Sequence, residues 1–260
     1  MSKKLITVCL ALFALAAFAL PASASASPVI THPTGTVLNP ENGECTNVKK
    51  TVCVTGHNVS ANTIFYNGSN VELLDCSKAV FTGYLRKNKE NHIEGDIHTA
   101  TFTGTGTQDP EESKNMPECT GTNGLPNTTV TSNGTDPVGT KIDEEDLTNG
   151  SPYCITASAG ANDPFTLRGG TCSEAARAIQ FVLKPTGLTK CVYSRAAGSP
   201  ITGTYTTHST GDAALIVTPS AATTGFTKVE GGILCPAEGR LGMSITLETD
   251  NTLTEPLYIS

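Results

Sequence analysis

Residues 79–104 read AVFTGYLRKNKENHIEGDIHTATFTG, and this stretch decides the fold class. Two runs rich in Val, Ile, Thr, Phe and Tyr, at residues 79–86 and 93–104, flank a basic tip at residues 86–89. Side chains of these types suit a pleated, half-buried surface. The stretch therefore predicts two strands joined by a solvated hairpin tip, and the basic tip is not a nucleic-acid patch.

The rest of the chain carries the same signal, because Asn-Gly and Asp-Pro dipeptides that favour turns separate many short apolar runs. This pattern predicts an all-β fold, built as an antiparallel β-sandwich (Ig-like or related) or as a barrel. Helix is expected only as one short turn at residues 173–178, where Ser173 is a good N-cap. The further strand-like runs occupy residues 51–55, 63–66, 71–76, 154–157, 165–168, 179–184, 191–194, 201–207, 213–217, 226–229, 241–248 and 257–259.

Residues 105–150 carry the weakest strand signal, because they are rich in Gly, Asn, Thr, Pro and acids. We expect a large loop region there, tethered by Cys119, within one disulfide-stabilised β domain. That domain is expected to span residues 27–260. An organisation in two lobes, residues 45–135 and 151–260, is the alternative.

Residues 1–26 have the pattern of a secretory signal peptide. Lys3 and Lys4 precede an apolar run at residues 5–20, and Ala-Ser-Ala at residues 24–26 forms a small-residue cleavage site. The run is shorter than the ~20 residues of a membrane-spanning helix, and no second apolar segment follows. We therefore expect a secreted or cell-surface protein with no membrane span after cleavage; an uncleaved anchor is the competing interpretation.

Nine cysteines stand in the chain, and removal of the leader takes Cys9 away. An even set of eight in an exported chain predicts a framework of four disulfide bridges, although roughly a hundred connectivities are open. A zinc site is less favoured, because no Cys-x2-Cys spacing is present. Proximity along the chain suggests the pairs Cys45–Cys53, Cys76–Cys119, Cys172–Cys191 and Cys154–Cys235.

The formal net charge is −7, and it becomes −9 when the leader is removed, because the leader carries two lysines and no acid. An acidic, lysine-poor surface opposes binding to a phosphate backbone, so no nucleic-acid partner is expected. The chain also lacks a glycine-rich phosphate loop before a helix, and no cofactor is predicted.

His92, Glu94, Asp96 and His98 form the sharpest chemical pattern, because alternating side chains of a strand share one face. Nitrogen and carboxylate donors in one row could hold zinc or another divalent ion. The two histidines would lie roughly 20 Å apart along the strand, too far to share one ion. A polar solvent face is therefore favoured over a metal site. The metal interpretation needs a donor from another strand, such as His57.

Other chemical signatures are weak. His208, Ser209 and Asp212 are triad residue types, but closeness in sequence is not the arrangement that nucleophilic catalysis needs. The acidic run at residues 143–146, with Asn149 nearby, lacks the alternating pattern of a calcium loop. Paired carboxylates for glycoside hydrolysis stay an open alternative, because their separation depends on the fold.

FTLRGGTC at residues 165–172, CVY at 191–193, TLETD at 246–250 and LYIS at 257–260 are familiar stretches. Through them the chain resembles a group of secreted, β-rich, uncharacterised proteins of soil actinobacteria. The resemblance runs over most of the mature chain and implies export and an Ig-like or sandwich-like β fold. It implies no activity and no set of catalytic residues.

The leading hypothesis is a secreted, non-enzymatic β-sandwich protein with a structural or binding role at or outside the cell surface. Its partner would be an extracellular molecule or a component of the cell envelope. The runner-up is a secreted enzyme acting on polysaccharide, with catalytic carboxylates on loops. A metal-binding periplasmic protein is the third hypothesis.

Overall fold

The computed structural model describes residues 28–31, 36–38, 54–58, 62–89, 91–104, 118–133, 153–159, 164–206, 214–249 and 257–259. The leader, Cys45 and Cys53 lie outside these residues. The strands are β1 (Ile30–Thr31), β2 (Val54–His57), β3 (Thr63–Asn67), β4 (Glu72–Cys76), β5 (Lys78–Lys89), β6 (His92–Thr103), β7 (Thr120–Gly121), β8 (Thr128–Asn133), β9 (Tyr153–Ala157), β10 (Pro164–Gly169), β11 (Ile179–Pro185), β12 (Cys191–Arg195), β13 (Ile201–Thr206), β14 (Ala214–Val217), β15 (Gly225–Glu230), β16 (Glu238–Thr249) and β17 (Tyr258–Ile259). The helix α1 is Ala221–Thr224.

The predicted all-β, antiparallel class is confirmed, and β5 and β6 form the predicted hairpin. One expectation about the loop region at residues 105–150 is wrong. Its residues Thr128–Asn133 form β8, which pairs with β11 over six residues. The strand was missed because Val130 is its only large apolar side chain, while threonine supplies the β-branched character.

Eight strands close into a circuit that we call the cavity barrel. In pairing order it runs β16, β14, β13, β10, β9, β6, β5, β2 and back to β16, and every pair is antiparallel. Side chains at alternate positions of each strand face the inside of such a barrel. Ile155 and Ala157 of β9 and Phe165 and Leu167 of β10 follow this alternation and line the interior.

A second circuit, which we call the aromatic barrel, shares β16 with the first. It runs β16, β3, β4 and β7, crosses to β8 through the bridge between Cys119 and Thr128, and returns through β11, β12 and β15. Strand β6 also links the barrels, because Phe102 pairs with Val130 of β8. Strands from residues 45–135 and from residues 151–260 are therefore mixed in both barrels.

Four phenylalanine rings fill the aromatic barrel. Phe181 lies at their centre, with ring centroids 5.2 Å from Phe65, 5.7 Å from Phe102 and 5.1 Å from Phe226. All three contacts are edge-to-face, the geometry that aromatic quadrupoles prefer. Phe81 contacts Phe102 at 5.6 Å and extends the cluster to the wall of the cavity barrel.

Three disulfides lie among the described residues, and they confirm one predicted pair and correct two. Cys76–Cys119 is present as predicted. The predicted pairs Cys172–Cys191 and Cys154–Cys235 are wrong, because the bonds are Cys154–Cys172 and Cys191–Cys235. The predicted Cys45–Cys53 pair lies outside the described residues.

The correct partners follow from strand pairing. Arg168 of β10 lies opposite Cys154, so the turn after β10 returns Cys172 to β9. Val192 of β12 lies opposite Glu230, so the loop after β15 returns Cys235 to the start of β12. The two predicted pairs were wrong because closeness along the chain does not show which strands are neighbours in the sheet.

The short helix was expected in the wrong place. Residues 173–178 form a turn and a bridge, since the Arg177 amide donates to Gly169 at 2.9 Å and the disulfide holds Cys172 against β9. The helix is α1 instead, and its N-cap Ser220 accepts a hydrogen bond from the Ala222 amide. No helix of the described residues is long and apolar enough to cross a membrane.

Candidate ligand cavity

A cavity of about 80 Å³ lies inside the cavity barrel. Its wall is almost wholly apolar and comes from seven of the eight strands, with residues such as Ile155, Phe165, Met243 and Ile245. Barrels of about eight strands have an interior that side chains either fill or leave open for one small ligand. Here the side chains leave part of it open.

The size of the cavity limits what it can hold in this conformation. An engineered apolar cavity of ~150 Å³ in another protein stays dry and binds benzene or xenon. Pockets for drug-sized molecules are larger, at ~300–1,000 Å³. A cavity of about 80 Å³ therefore suits a single atom or a small apolar group. A long acyl chain would fit only after the barrel opened.

The cavity is closed at one end by a feature that we call the terminal lid, comprising residues 28–31, 36–38 and 257–259. Strands β1 and β17 pair there as a separate two-stranded sheet, with Ile30 opposite Ile259. Both isoleucines line the cavity and are almost fully buried. Leu38 and Leu257 of the lid are buried as well. The lid is thus an apolar plug in the mouth of the barrel.

One polar side chain of the barrel, Asn88, holds the lid. Its Oδ1 accepts a hydrogen bond from the Ile30 amide at 2.8 Å, and its Nδ2 donates to the carbonyls of Ile30 and Leu38, both at 2.7 Å. Asn88 is 6% exposed, although it lies between two exposed lysines at the predicted basic tip. The prediction of a solvated tip is therefore wrong for this residue. A buried amide persists when its donors and acceptor are paired, as they are here.

The opposite face of β6 carries a polar network. The alternation of β6 puts the side chains of Ile93 and Ile97 on the cavity face and those of Glu94 and Asp96 on the other face, although Asp96 also borders the cavity. The Asp96 side chain is fully buried and accepts hydrogen bonds from Tyr84 Oη at 3.0 Å, Arg86 at 2.9 Å and the Cys172 amide at 2.6 Å. These partners satisfy the carboxylate, which suits a structural role in fixing the Cys172 loop.

The electrostatics of this network also indicate stabilisation. The hydrogen bond to Asp96 raises the pKa of Arg86, and burial followed by the charge of Asp96 raises the pKa of Tyr84. Burial alone would raise the pKa of Glu94, but hydrogen bonds from Lys87 and His92 outweigh it and lower the pKa. Each of these three shifts moves the pKa further from neutral pH, so Arg86 stays cationic, Tyr84 neutral and Glu94 anionic at pH 7.

The structure brings two of the four predicted metal candidates together but does not gather all four around one point. His92 meets Glu94 at 3.2 Å, but Asp96 is engaged by Arg86 and the Cys172 loop. His98 is the extra residue of a β-bulge and stacks on the Tyr84 ring at 4.8 Å. His57, the proposed cross-strand donor, pairs with Glu248 at 3.4 Å instead.

The described residues hold one group of three potential metal ligands, Asp96, Cys154 and Cys172. The two sulfur atoms are bonded to each other, so this group is a disulfide beside a carboxylate. The other candidate sites lie outside the described residues: His208, Ser209 and Asp212, and the acidic run at 143–146.

Two further buried charges serve the fold. Arg195 is 8% exposed, and its guanidinium donates to backbone carbonyls of residues 199, 200, 222 and 225 at 2.6–3.2 Å. Burial lowers its pKa. Glu118, also buried, accepts a hydrogen bond from the Thr186 hydroxyl at 2.7 Å. Neither group faces the apolar cavity.

An exposed apolar pair lies in the loop that Cys191–Cys235 closes. Ile233 is 98% exposed and Leu234 is 63% exposed. The disulfide anchors the loop at Cys235, directly after the pair. Ile233 and Leu234 are the two most exposed large apolar side chains among the described residues.

Sequence reasoning missed the cavity and Asn88. The alternation of apolar residues predicted strands, but it could not show whether the facing side chains would fill the space between them. No signal in the sequence marks Asn88, since its neighbours Lys87 and Lys89 are typical of an exposed tip. No protein family, curated protein or solved structure matches this chain.

Proposed function

We propose that the protein is a secreted, non-enzymatic binding protein that takes a small apolar molecule into the cavity barrel. One observation carries this proposal: the cavity barrel leaves about 80 Å³ of apolar space unfilled, while phenylalanine rings fill the adjacent barrel of the same chain. Empty apolar space costs stability, because the atoms that line it lose dispersion contacts. A ligand that enters it restores those contacts.

The polar groups of the described residues support a binding role more than catalysis. Asp96 and Glu118 are occupied by partners in the fold, and the cavity wall offers almost no polar group to a reacting molecule. The apolar pair Ile233 and Leu234 adds exposed surface of the kind that binding proteins present.

Secretion is part of the proposal, supported by the leader pattern and by three disulfides, which persist in oxidising compartments. Expression in a secreting host should deliver the protein to the medium with a mature start near residue 27. Intact mass with and without reduction and alkylation should then show eight oxidised cysteines. A free thiol, or a chain retained with its leader, would contradict this part.

The binding proposal is tested with xenon gas as the probe. Under xenon pressure, methyl NMR signals of Ile155, Leu167 and Ile245 should shift, because these side chains line the cavity. Ala157→Leu should abolish the shifts, because Ala157 is a buried wall residue and the added atoms fill the space.

Thr156→Val is the matched control. Thr156 neighbours Ala157 on β9, but its side chain points away from the cavity and hydrogen-bonds to Thr166. The Thr156→Val variant should keep the xenon shifts. Shifts that are absent from the cavity residues in the wild type, or that survive Ala157→Leu unchanged, would sink the binding proposal.

A further inference from the structure

We infer that the terminal lid is the entrance of the cavity and that Asn88 is its latch. This inference rests on the proposed function, since a gate has meaning only if a ligand enters. It concerns the route and the rate of entry, which the cavity alone does not define.

The walls of the barrel are poor routes. Antiparallel ladders join all eight strands into a closed circuit, so passage between two strands requires breaking several backbone hydrogen bonds. On the side toward the aromatic barrel, the Phe81 ring of the cavity wall packs against the Phe102 ring, with centroids 5.6 Å apart.

The lid end is different, because β1 and β17 form their own sheet and continue none of the barrel's ladders. Each is only two residues long. From the described residues of the lid, one backbone hydrogen bond to the barrel joins the Leu257 amide to the Leu247 carbonyl at 2.9 Å. Beyond packing, the lid depends on side-chain contacts.

Asn88 makes the contacts that stand in for a ladder. Its amide pairs with both backbone groups of Ile30, as a neighbouring strand would, and it also reaches the Leu38 carbonyl. Asn88 therefore contacts both described segments on the N-terminal side of the lid, residues 28–31 and 36–38. When the lid opens, water can replace all three hydrogen bonds, so release requires no other protein partner.

A latch of this kind controls rates rather than affinity. The ligand passes through the open state both when it enters and when it leaves. The hydrogen bonds of Asn88 stabilise the closed state equally whether the cavity is empty or occupied. Weakening it should therefore speed association and dissociation together and leave the dissociation constant nearly unchanged. A residue that merely shapes the cavity would change the dissociation constant instead.

The test uses fluorobenzene as the probe and the full chain with Met243→Ala as the background. Met243 lines the cavity, so this truncation enlarges it toward the size that binds benzene. Exchange of the probe is followed by ¹⁹F NMR. Adding Asn88→Ala should raise both rate constants at least tenfold and change the dissociation constant less than twofold. Lys87→Ala is the control, because Lys87 lies on the same strand and contacts Glu94 rather than the lid.

Hydrogen exchange provides a second test, which does not require the Asn88→Ala variant to fold. In the Met243→Ala protein, hydrogen exchange at the amides of Ile30 and Leu38 should report lid opening at the same rate as probe release. Barrel amides such as Leu167 should exchange far more slowly. Probe release at the rate of global unfolding, or unaffected by Asn88→Ala, would overturn the latch. If fluorobenzene does not bind but xenon does, the latch fails this test while the binding proposal stands; if neither binds, the binding proposal itself fails.

Discussion

The two barrels of this molecule are built from the same kinds of strand and share β16, yet their interiors differ. The apolar space beside Phe65, Phe181 and Phe226 in the aromatic barrel is about 10 Å³. The cavity barrel leaves about 80 Å³. The difference lies in side-chain shape: interlocking rings close one interior, whereas the wall of the other is mainly aliphatic, and its side chains leave space between them. An open interior here is a property of one barrel and not of a loosely packed chain.

The two barrels are also closed differently. Cys76–Cys119 and Cys191–Cys235 join strands or loops of the aromatic barrel covalently. Among the described residues, the cavity barrel has one disulfide, Cys154–Cys172, on its outer face, and Asn88 makes hydrogen bonds to the lid at its mouth. In the described residues, disulfide bonds thus close the barrel whose interior is filled, whereas hydrogen bonds that can break and re-form close the barrel that contains the cavity.

Truncation of one phenylalanine ring in each barrel should have the largest effect on stability and tests whether only one interior is filled. Phe181→Ala should lower the free energy of unfolding by ~3–5 kcal/mol, because the ring contacts three others. Phe165→Ala should cost about 1 kcal/mol less, since a ring beside a void has fewer contacts to lose. Urea denaturation of both variants measures the difference. Equal losses would contradict the claim that only one interior is filled.

Removal of disulfides should show the next largest effect. The Cys191–Cys235 bond closes a separation of 44 residues and the Cys154–Cys172 bond one of 18. Chain entropy then predicts losses of about 4 and about 3 kcal/mol for the double Cys→Ala variants. Thermal unfolding of each variant, in the presence of xenon and without it, measures both stability and binding.

The two double variants should differ in binding as well. The variant that lacks Cys191–Cys235 should keep the xenon response of the cavity barrel, because that bond lies in the other barrel. Loss of the response in this variant, with the fold intact by circular dichroism, would show that the aromatic barrel supports the cavity directly.

The smallest effect concerns pH. The pKa of Glu94 is lowered in the folded state, so its stabilising contribution is present in full above about pH 5. The contribution is lost as the pH falls through the folded pKa. Glu94→Gln should therefore reduce stability at pH 7 by less than about 1 kcal/mol and have no effect at low pH. A loss that is the same at both pH values would mean that Glu94 acts through packing instead of charge.

The sequence predicted the all-β class of the fold but not which strands pair to close the two barrels. Alternating β-branched residues in stretches such as 93–104 identify strands, because the pattern depends only on which side of the strand faces the core. Which strands become neighbours depends on pairing across the whole chain. For that reason the partners of Cys172 and Cys235, and strand β8, were found only in the structure.

The candidate site was still less accessible to sequence reasoning. A cavity exists where side chains from several strands fail to meet, and composition says nothing about that. Asn88 is buried only because the segment around Ile30 folds over it, 58 positions away in the chain. A sequence shows which potential metal ligands lie close along the chain, such as His92, Glu94, Asp96 and His98. It does not show where side chains from several strands leave space between them.

The sharing of β6 and β16 has a consequence for how changes in the protein are transmitted. Strand β6 pairs with β9 in the cavity barrel and with β8 at Phe102, and β16 contributes to both circuits along its length. Neither barrel is a unit that could be expressed, exchanged or lost by itself. A substitution at Phe102, which packs against Phe81 on the cavity wall, should therefore alter the packing of both barrels at once.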